Sequence, residues 1–131
     1  MSALHDALRR AATPLRAEEG GWSREYMLDA SFPGFAGHFP GHPILPAVVQ
    51  LLMARMTLEE GLGRPLRLSG VPQAKFTVPL TPGEVIAVAV RPVPLRPGKA
   101  ADPASGTLWE CALAAGERAA ARFRLRVEED V

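Results

Sequence analysis

The residues best suited to chemistry lie in one stretch, Phe32 to Ala54, which reads FPGFAGHFPGHPILPAVVQLLMA. His38 carries an imidazole that can take up a proton near neutral pH. Four prolines and three glycines between Phe32 and Pro46 impose an irregular backbone that feeds directly into an apolar helix. His38 therefore stands a few residues upstream of the positive helix end, where free backbone N–H groups, beginning with Ala47, can polarise a carbonyl oxygen. Together they make a plausible reaction site. The same residues also make sense as a turn laid over the helix, and residue types and spacing leave both readings open.

The elements that must position His38 are marked out by the 13 prolines, because proline is poorly tolerated inside helices and central strands. One proline-free window, Ala47 to Arg64, starts directly after Pro46 and ends in Gly61 and Gly63, which predicts a long helix. Val48, Val49, Leu52, Met53 and Met56 follow the helical period. Leu51, Ala54 and Leu58 add apolar surface elsewhere, so most of the circumference is expected to be buried. In the window from Ala104 to Val131, Arg122, Arg124 and Arg126 alternate with Phe123, Leu125 and Val127, the pattern of a half-exposed strand. Thr107 to Leu113 reads as its partner through a turn near Ala115 and Gly116. Lys75 to Leu80 and Glu84 to Val93 read as strands separated by Thr81-Pro82-Gly83. Trp22 to Ser31 suits a first strand, Ser2 to Ala12 a short amphipathic helix, and Arg96 to Gly106 a polar loop. The order predicts an α+β domain with one helix against a curved, largely antiparallel sheet, and its edge strands favour a homodimer.

The 131 residues suffice for one domain, and 22% charged against 47% hydrophobic residues indicates a folded chain. Only Lys75 and Lys99 are lysine, and 15 basic against 14 acidic side chains leave no field suited to nucleic acid. Cys111 is the single cysteine, so neither an internal disulfide nor a metal cluster is expected, and a reducing compartment fits. No signal-peptide pattern opens the chain, and the apolar run from Ile44 to Met53 is too short to span a bilayer. A cytoplasmic protein with no membrane anchor, no metal and no cofactor is expected.

Gly37-His38-Phe39-Pro40-Gly41-His42-Pro43-Ile44-Leu45-Pro46, followed by an apolar helix, closely resembles the active-site motif of the (3R)-hydroxyacyl-[acyl carrier protein] dehydratases, the FabZ/FabA-like family. Ala74 to Val90, AKFTVPLTPGEVIAVAV, is similar to a second segment of that family, and the resemblance runs from about Tyr26 to Val127. It implies a hotdog fold, one long central helix wrapped by a curved antiparallel sheet. A single domain over residues 1–131, with a short N-terminal helical extension at about 1–18, would dimerise edge to edge with active sites at the interface. It further implies that His38 abstracts the proton next to a thioester carbonyl, that the Ala47 N–H holds the oxyanion, and that water leaves from the 3-position. Phe39, Pro40, Gly41, Pro46 and Val48 would line the substrate, and a cis peptide bond would follow His38. The acyl chain would be carried on an acyl carrier protein or coenzyme A, within fatty-acid or polyketide-type metabolism.

The chain departs from the family at the second catalytic position. The family places a Glu or Asp fourteen residues after the histidine to protonate the departing hydroxyl, and here that residue is Leu52. Glu59 and Glu60 lie at least seven residues further, about 10 Å along a helix axis. Three residues are conceivable substitutes: Gln50 by hydrogen-bonding the hydroxyl or orienting a water, His42 by supplying the proton if the loop folds it inward, and Asp29 by approaching from the same or the partner subunit, although an exposed strand-end acid is its simpler account. Ala47 replaces the family's glycine and retains the N–H. Arg118, Arg122, Arg124 and Arg126 are candidates for meeting an acidic carrier protein, or simply a solvated face. Trp22, Trp109, Phe76 and Phe123 read as packing, Cys111 as buried filler and His5 as solvent-facing. The reading that follows is a 3-hydroxyacyl-thioester dehydratase, a hydro-lyase with an incomplete catalytic pair. A non-catalytic acyl-thioester binder or partner subunit is the first alternative, and an acyl thioesterase the second.

Overall fold

A computed structural model describes residues 3–18, 20–35, 43–93 and 107–129. The elements are α1 (Ala3–Ala11), β1 (Arg16–Glu18), β2 (Gly21–Met27), a 3-10 turn (Pro33–Phe35), α2 (Ala47–Leu62), β3 (Leu66–Phe76), β4 (Val85–Pro92), β5 (Thr107–Ala115) and β6 (Arg118–Glu129). All six strands join one antiparallel sheet in the order β1-β2-β4-β5-β6-β3. Alternation drives the burial: Ile86, Val88 and Val90 of β4, Cys111 and Leu113 of β5, and Phe123, Leu125 and Val127 of β6 turn into the core. Arg124 faces outward and meets Glu110, its cross-strand neighbour.

Helix α2 lies on the inner face against β2, β3 and β4. It starts on Pro46 and stops at Gly63, whose φ of 72° is left-handed and whose N–H donates to the Glu59 carbonyl at 2.8 Å. The sheet covers one side of it. Val49, Met53, Ala54 and Leu58 are buried, whereas Val48 is 70% exposed and Leu51 and Leu52 are half-buried, so the expectation of burial around most of the circumference does not hold for a single chain. Helix α1 seals one end of the core with Leu8. Helical structure stops at Ala11, and Arg16–Glu18 forms an edge strand instead of extending the N-terminal helix.

The strand expected at Lys75 to Leu80 is displaced. Strand β3 occupies Leu66–Phe76, and the chain leaves the sheet after Thr77 and Val78 donate to the Ala120 carbonyl. Gly70 and Pro72 obscured its first half in the sequence. Both are tolerated because β3 is an edge strand whose pairing with β6 shifts register between Leu68 and Gln73. Thr81-Pro82-Gly83 consequently crosses between distant strands and makes no hairpin. The first strand ends at Met27, before Ser31, and it carries the extra partner β1. The loop expected at Arg96 to Gly106 lies outside the described residues.

Trp22 and Trp109 stack at a centroid distance of 5.9 Å, and the Trp22 ring fills the space where Gly61 has no side chain. Helical glycine normally gains about 1 kcal/mol on replacement by alanine. Here the added methyl group would collide with the ring, so Gly61→Ala should lose about 1–2 kcal/mol, measured by urea unfolding. The same substitution made in a Trp22→Ala background should be neutral or stabilising.

The crossing connection is fastened by Glu84, which accepts from the Thr81 N–H at 2.9 Å and the Thr81 hydroxyl at 3.1 Å and pairs with Arg118. The Thr81 N–H foremost, then its hydroxyl and Arg118, hold the Glu84 carboxyl below the ordinary glutamate range. A depressed native pKa gives stability that is present above the unfolded pKa and lost as pH falls through the native one. Glu84→Gln should therefore destabilise by a few tenths to about 1 kcal/mol at neutral pH. That difference should close in thermal melts taken at progressively lower pH.

Candidate active site

The site is built outward from Leu45, which is buried and held at both backbone polar groups. Its N–H donates to the Leu80 carbonyl at 2.8 Å, and its carbonyl accepts from Gln50 Nε2 at 3.1 Å. Pro46 follows in an extended conformation with φ −63° and ψ 150° and offers no side-chain cap, while its carbonyl receives the N–H groups of Val49 and Gln50 at 3.1 and 3.2 Å. The N–H groups of Ala47 and Val48 have no acceptor among the described residues, and both residues are exposed. Ala47 thus presents a free donor at the positive end of a 16-residue helix. Its methyl group lies on the surface.

His38, Phe39, Pro40, Gly41 and His42, together with the cis bond expected after His38, lie outside the described residues. Gln50 is buried, and its amide nitrogen is committed to Leu45. Its Oε1 is buried with no hydrogen-bond partner among the described residues. Gln50 therefore anchors the loop to the helix through its amide nitrogen.

Leu52 lines an apolar groove of about 270 Å³ with Leu4, Val48, Val49, Leu51, Leu68 and Arg55. The position where the family keeps its acid is therefore surrounded by hydrocarbon. Glu59 accepts from the Leu66 N–H at 2.8 Å and Glu60 pairs with Arg24, so both helix acids are engaged elsewhere. Asp29 is exposed and accepts from the hydroxyl and the N–H of Ser31 at 2.5 and 2.9 Å. The Ser31 hydroxyl above all holds the Asp29 carboxyl below its ordinary range, which keeps it ionised and makes it a poor proton donor.

The remaining candidates divide by contact. The Trp22–Trp109 and Phe76–Phe123 pairs both stack at 5.9 Å, although Phe76 remains 42% exposed. Burial pushes the Cys111 thiol up to about 12, consistent with inert filler. His5 is half-buried on the wall of an open cavity of about 650 Å³. Arg118 and Arg124 pair with Glu84 and Glu110, and Arg122 is exposed. Arg55 was not singled out from the sequence, yet it lies between the groove and the cavity; its spacing of three residues from Leu52 is the signal that could have found it. Among the described residues no three His, Cys, Asp or Glu side chains converge as metal ligands, and no helix is long and apolar enough to cross a membrane.

The chain is 36% identical over 90 residues to a 3-hydroxyacyl-[acyl-carrier-protein] dehydratase FabZ of Mannheimia succiniciproducens, covering 62% of this chain and 60% of that protein. A FabZ of Haemophilus influenzae is 33% identical over 90 residues, covering 62% and 61%. The chain thus spans about three fifths of the length of these curated relatives. Among solved structures, the dehydratase heterocomplex ApeI:P from Xenorhabdus doucetiae superposes with a TM-score of 0.72 at 19% identity, covering 90% of this chain and 96% of that one. The Escherichia coli PaaI protein, from the phenylacetic acid degradation operon, superposes with a TM-score of 0.67 at 14% identity, covering 97% and 88%. These likenesses show the α+β hotdog fold. The family model of the ApeI-like dehydratases matches residues 15–100, most of the chain, and this protein belongs to that family.

Proposed function

We propose that this protein acts on 3-hydroxyacyl thioesters and removes water from them. The observation that carries the reading is the free Ala47 N–H at a helix start locked by Leu45 and Pro46, eight and nine residues after His38 for Pro46 and Ala47, in a member of a dehydratase family. In this scheme His38 takes the proton from the carbon next to the thioester carbonyl. Negative charge moves onto the carbonyl oxygen and is held by the Ala47 N–H, a donor type worth about 10²- to 10³-fold in rate. The electron pair then returns to form the double bond, the 3-hydroxyl leaves as water with a proton from solvent, and His38 gives the proton it took to solvent. Phe39, Pro40, Gly41, Pro46 and Val48 would border the acyl thioester.

The chain would work in the cytoplasm as a homodimer on substrates carried by an acyl carrier protein or coenzyme A. Support for the dimer comes from β3, an 11-residue edge strand with one side unpaired in the sheet order, and from the exposed outer face of α2 beside Val48. Pairing of β3 edges would extend the sheet and close it further round α2.

Leu52 supports a second reading. With hydrocarbon at the acid's position and Glu59, Glu60 and Asp29 each engaged elsewhere, the chain alone lacks a donor for the leaving hydroxyl among its described acids. It would then bind the thioester without turnover, or supply the His38 half of a site that another subunit completes. The two readings separate when purified protein is given a 3-hydroxydecanoyl thioester and enoyl product and free thiol are both followed. Enoyl product that disappears in His38→Ala supports dehydration. Thioester binding without product, unaffected by His38→Ala, supports the binder, and thiol release without enoyl product indicates hydrolysis.

A positioned general acid contributes about 10²- to 10⁴-fold. Leu52→Glu should therefore raise dehydration by at least about tenfold if the rest of the site is intact. A folded Leu52→Glu variant with no gain would show that more than the acid is missing.

A further inference from the structure

Arg55 lies one helical turn beyond Leu52 and borders two spaces, the apolar groove of about 270 Å³ and a cavity of about 650 Å³ with several charged side chains on its wall. The other charges on the cavity wall are largely matched. Arg24 pairs with Glu60 and donates to the Thr13 carbonyl at 2.8 and 3.0 Å, and Arg64 pairs with Glu129 at 3.1 Å. Glu59, four residues after Arg55 and the natural helical partner for it, instead accepts the Leu66 N–H. Arg55 consequently has no counter-ion among the described residues, and its Nε is shielded from solvent with no acceptor. A buried N–H of a cation is rarely left without a partner, because the lost hydration is not recovered.

We propose that Arg55 and the adjoining groove bind an amphiphile, an apolar chain ending in an oxyanion. The planar guanidinium fork matches a carboxylate or a phosphate and would give Arg55 Nε the acceptor it lacks. Leu4, Leu51, Leu52 and Leu68 receive the chain, each buried methylene adding about fourfold in affinity. Leu52 suits this occupant, since it carries the apolar wall of the groove up to Arg55. The site requires neither His38 nor turnover, so its failure and failure of the dehydratase reading are separate results.

Calorimetric titration of the full chain with decanoate, decyl phosphate and decanol, each below its micelle concentration, tests the site. Decanoate or decyl phosphate should bind about tenfold or more tightly than decanol, and Arg55→Gln should erase that preference while leaving decanol binding unchanged. Decanoate ahead of decyl phosphate would assign a free acid as the occupant, and the reverse order a phosphorylated lipid. Equal binding of all three, or a preference that survives in Arg55→Gln, overturns the proposal. Arg55→Lys keeps the charge without the fork and serves if the glutamine variant does not fold: it must lose several-fold affinity for the anionic ligands and none for decanol.

Discussion

The clamp on Leu45 is the constraint on which the site depends. Both of its backbone groups are satisfied by partners distant in structure type, a strand connection at Leu80 and a helix side chain at Gln50. Two buried hydrogen bonds fix where the loop ends, and Pro46, with its φ already set, fixes how it turns into α2. The connection that supplies the Leu80 carbonyl is tied down in turn, since the Gly83 N–H donates to the Leu28 carbonyl at 2.8 Å and Glu84 holds Thr81. Three segments far apart in sequence thereby determine the direction of the Ala47 N–H. A role for that backbone donor would depend on its position and not on the side chain it carries, so alanine is compatible with it.

Much of this was legible in the residues. Pro46 and Gly63 bracket α2 as their stereochemistry requires, and the alternation of Arg122 to Val127 marked the inner and outer faces of β6. What could not be read was long-range. Gly70 and Pro72 look like breakers until β3 is known to be an edge, and whether Thr81-Pro82-Gly83 makes a hairpin depends on which strand β3 joins. The site shows the same division. The motif around His38 and the departure at Leu52 are local and visible. The engagement of Gln50 by Leu45, and of Glu59 by Leu66, follows only from tertiary packing.

Loss of the acid at Leu52 changes the electrostatics of a whole helix face. Where a carboxylate would stand one turn before Arg55, the groove now presents leucine and then an unopposed guanidinium. Between the free N-terminal donors of α2 and Arg55, the groove carries positive charge and no described carboxylate. An anionic chain end is favoured beside such groups, and the same groups would favour the ionised form of any carboxyl placed there.

The stacked pair of Trp22 and Trp109 has a spectroscopic consequence. These are the only two tryptophans of the chain, and they meet each other beside Gly61, at the opposite end of α2 from Ala47. Their emission reports one region near the exit of the helix and is blind to direct contact at its entrance. A change in their fluorescence on ligand binding at the other end of α2 would thus report a rearrangement that reaches the seat of Gly61 on the indole, and not direct contact.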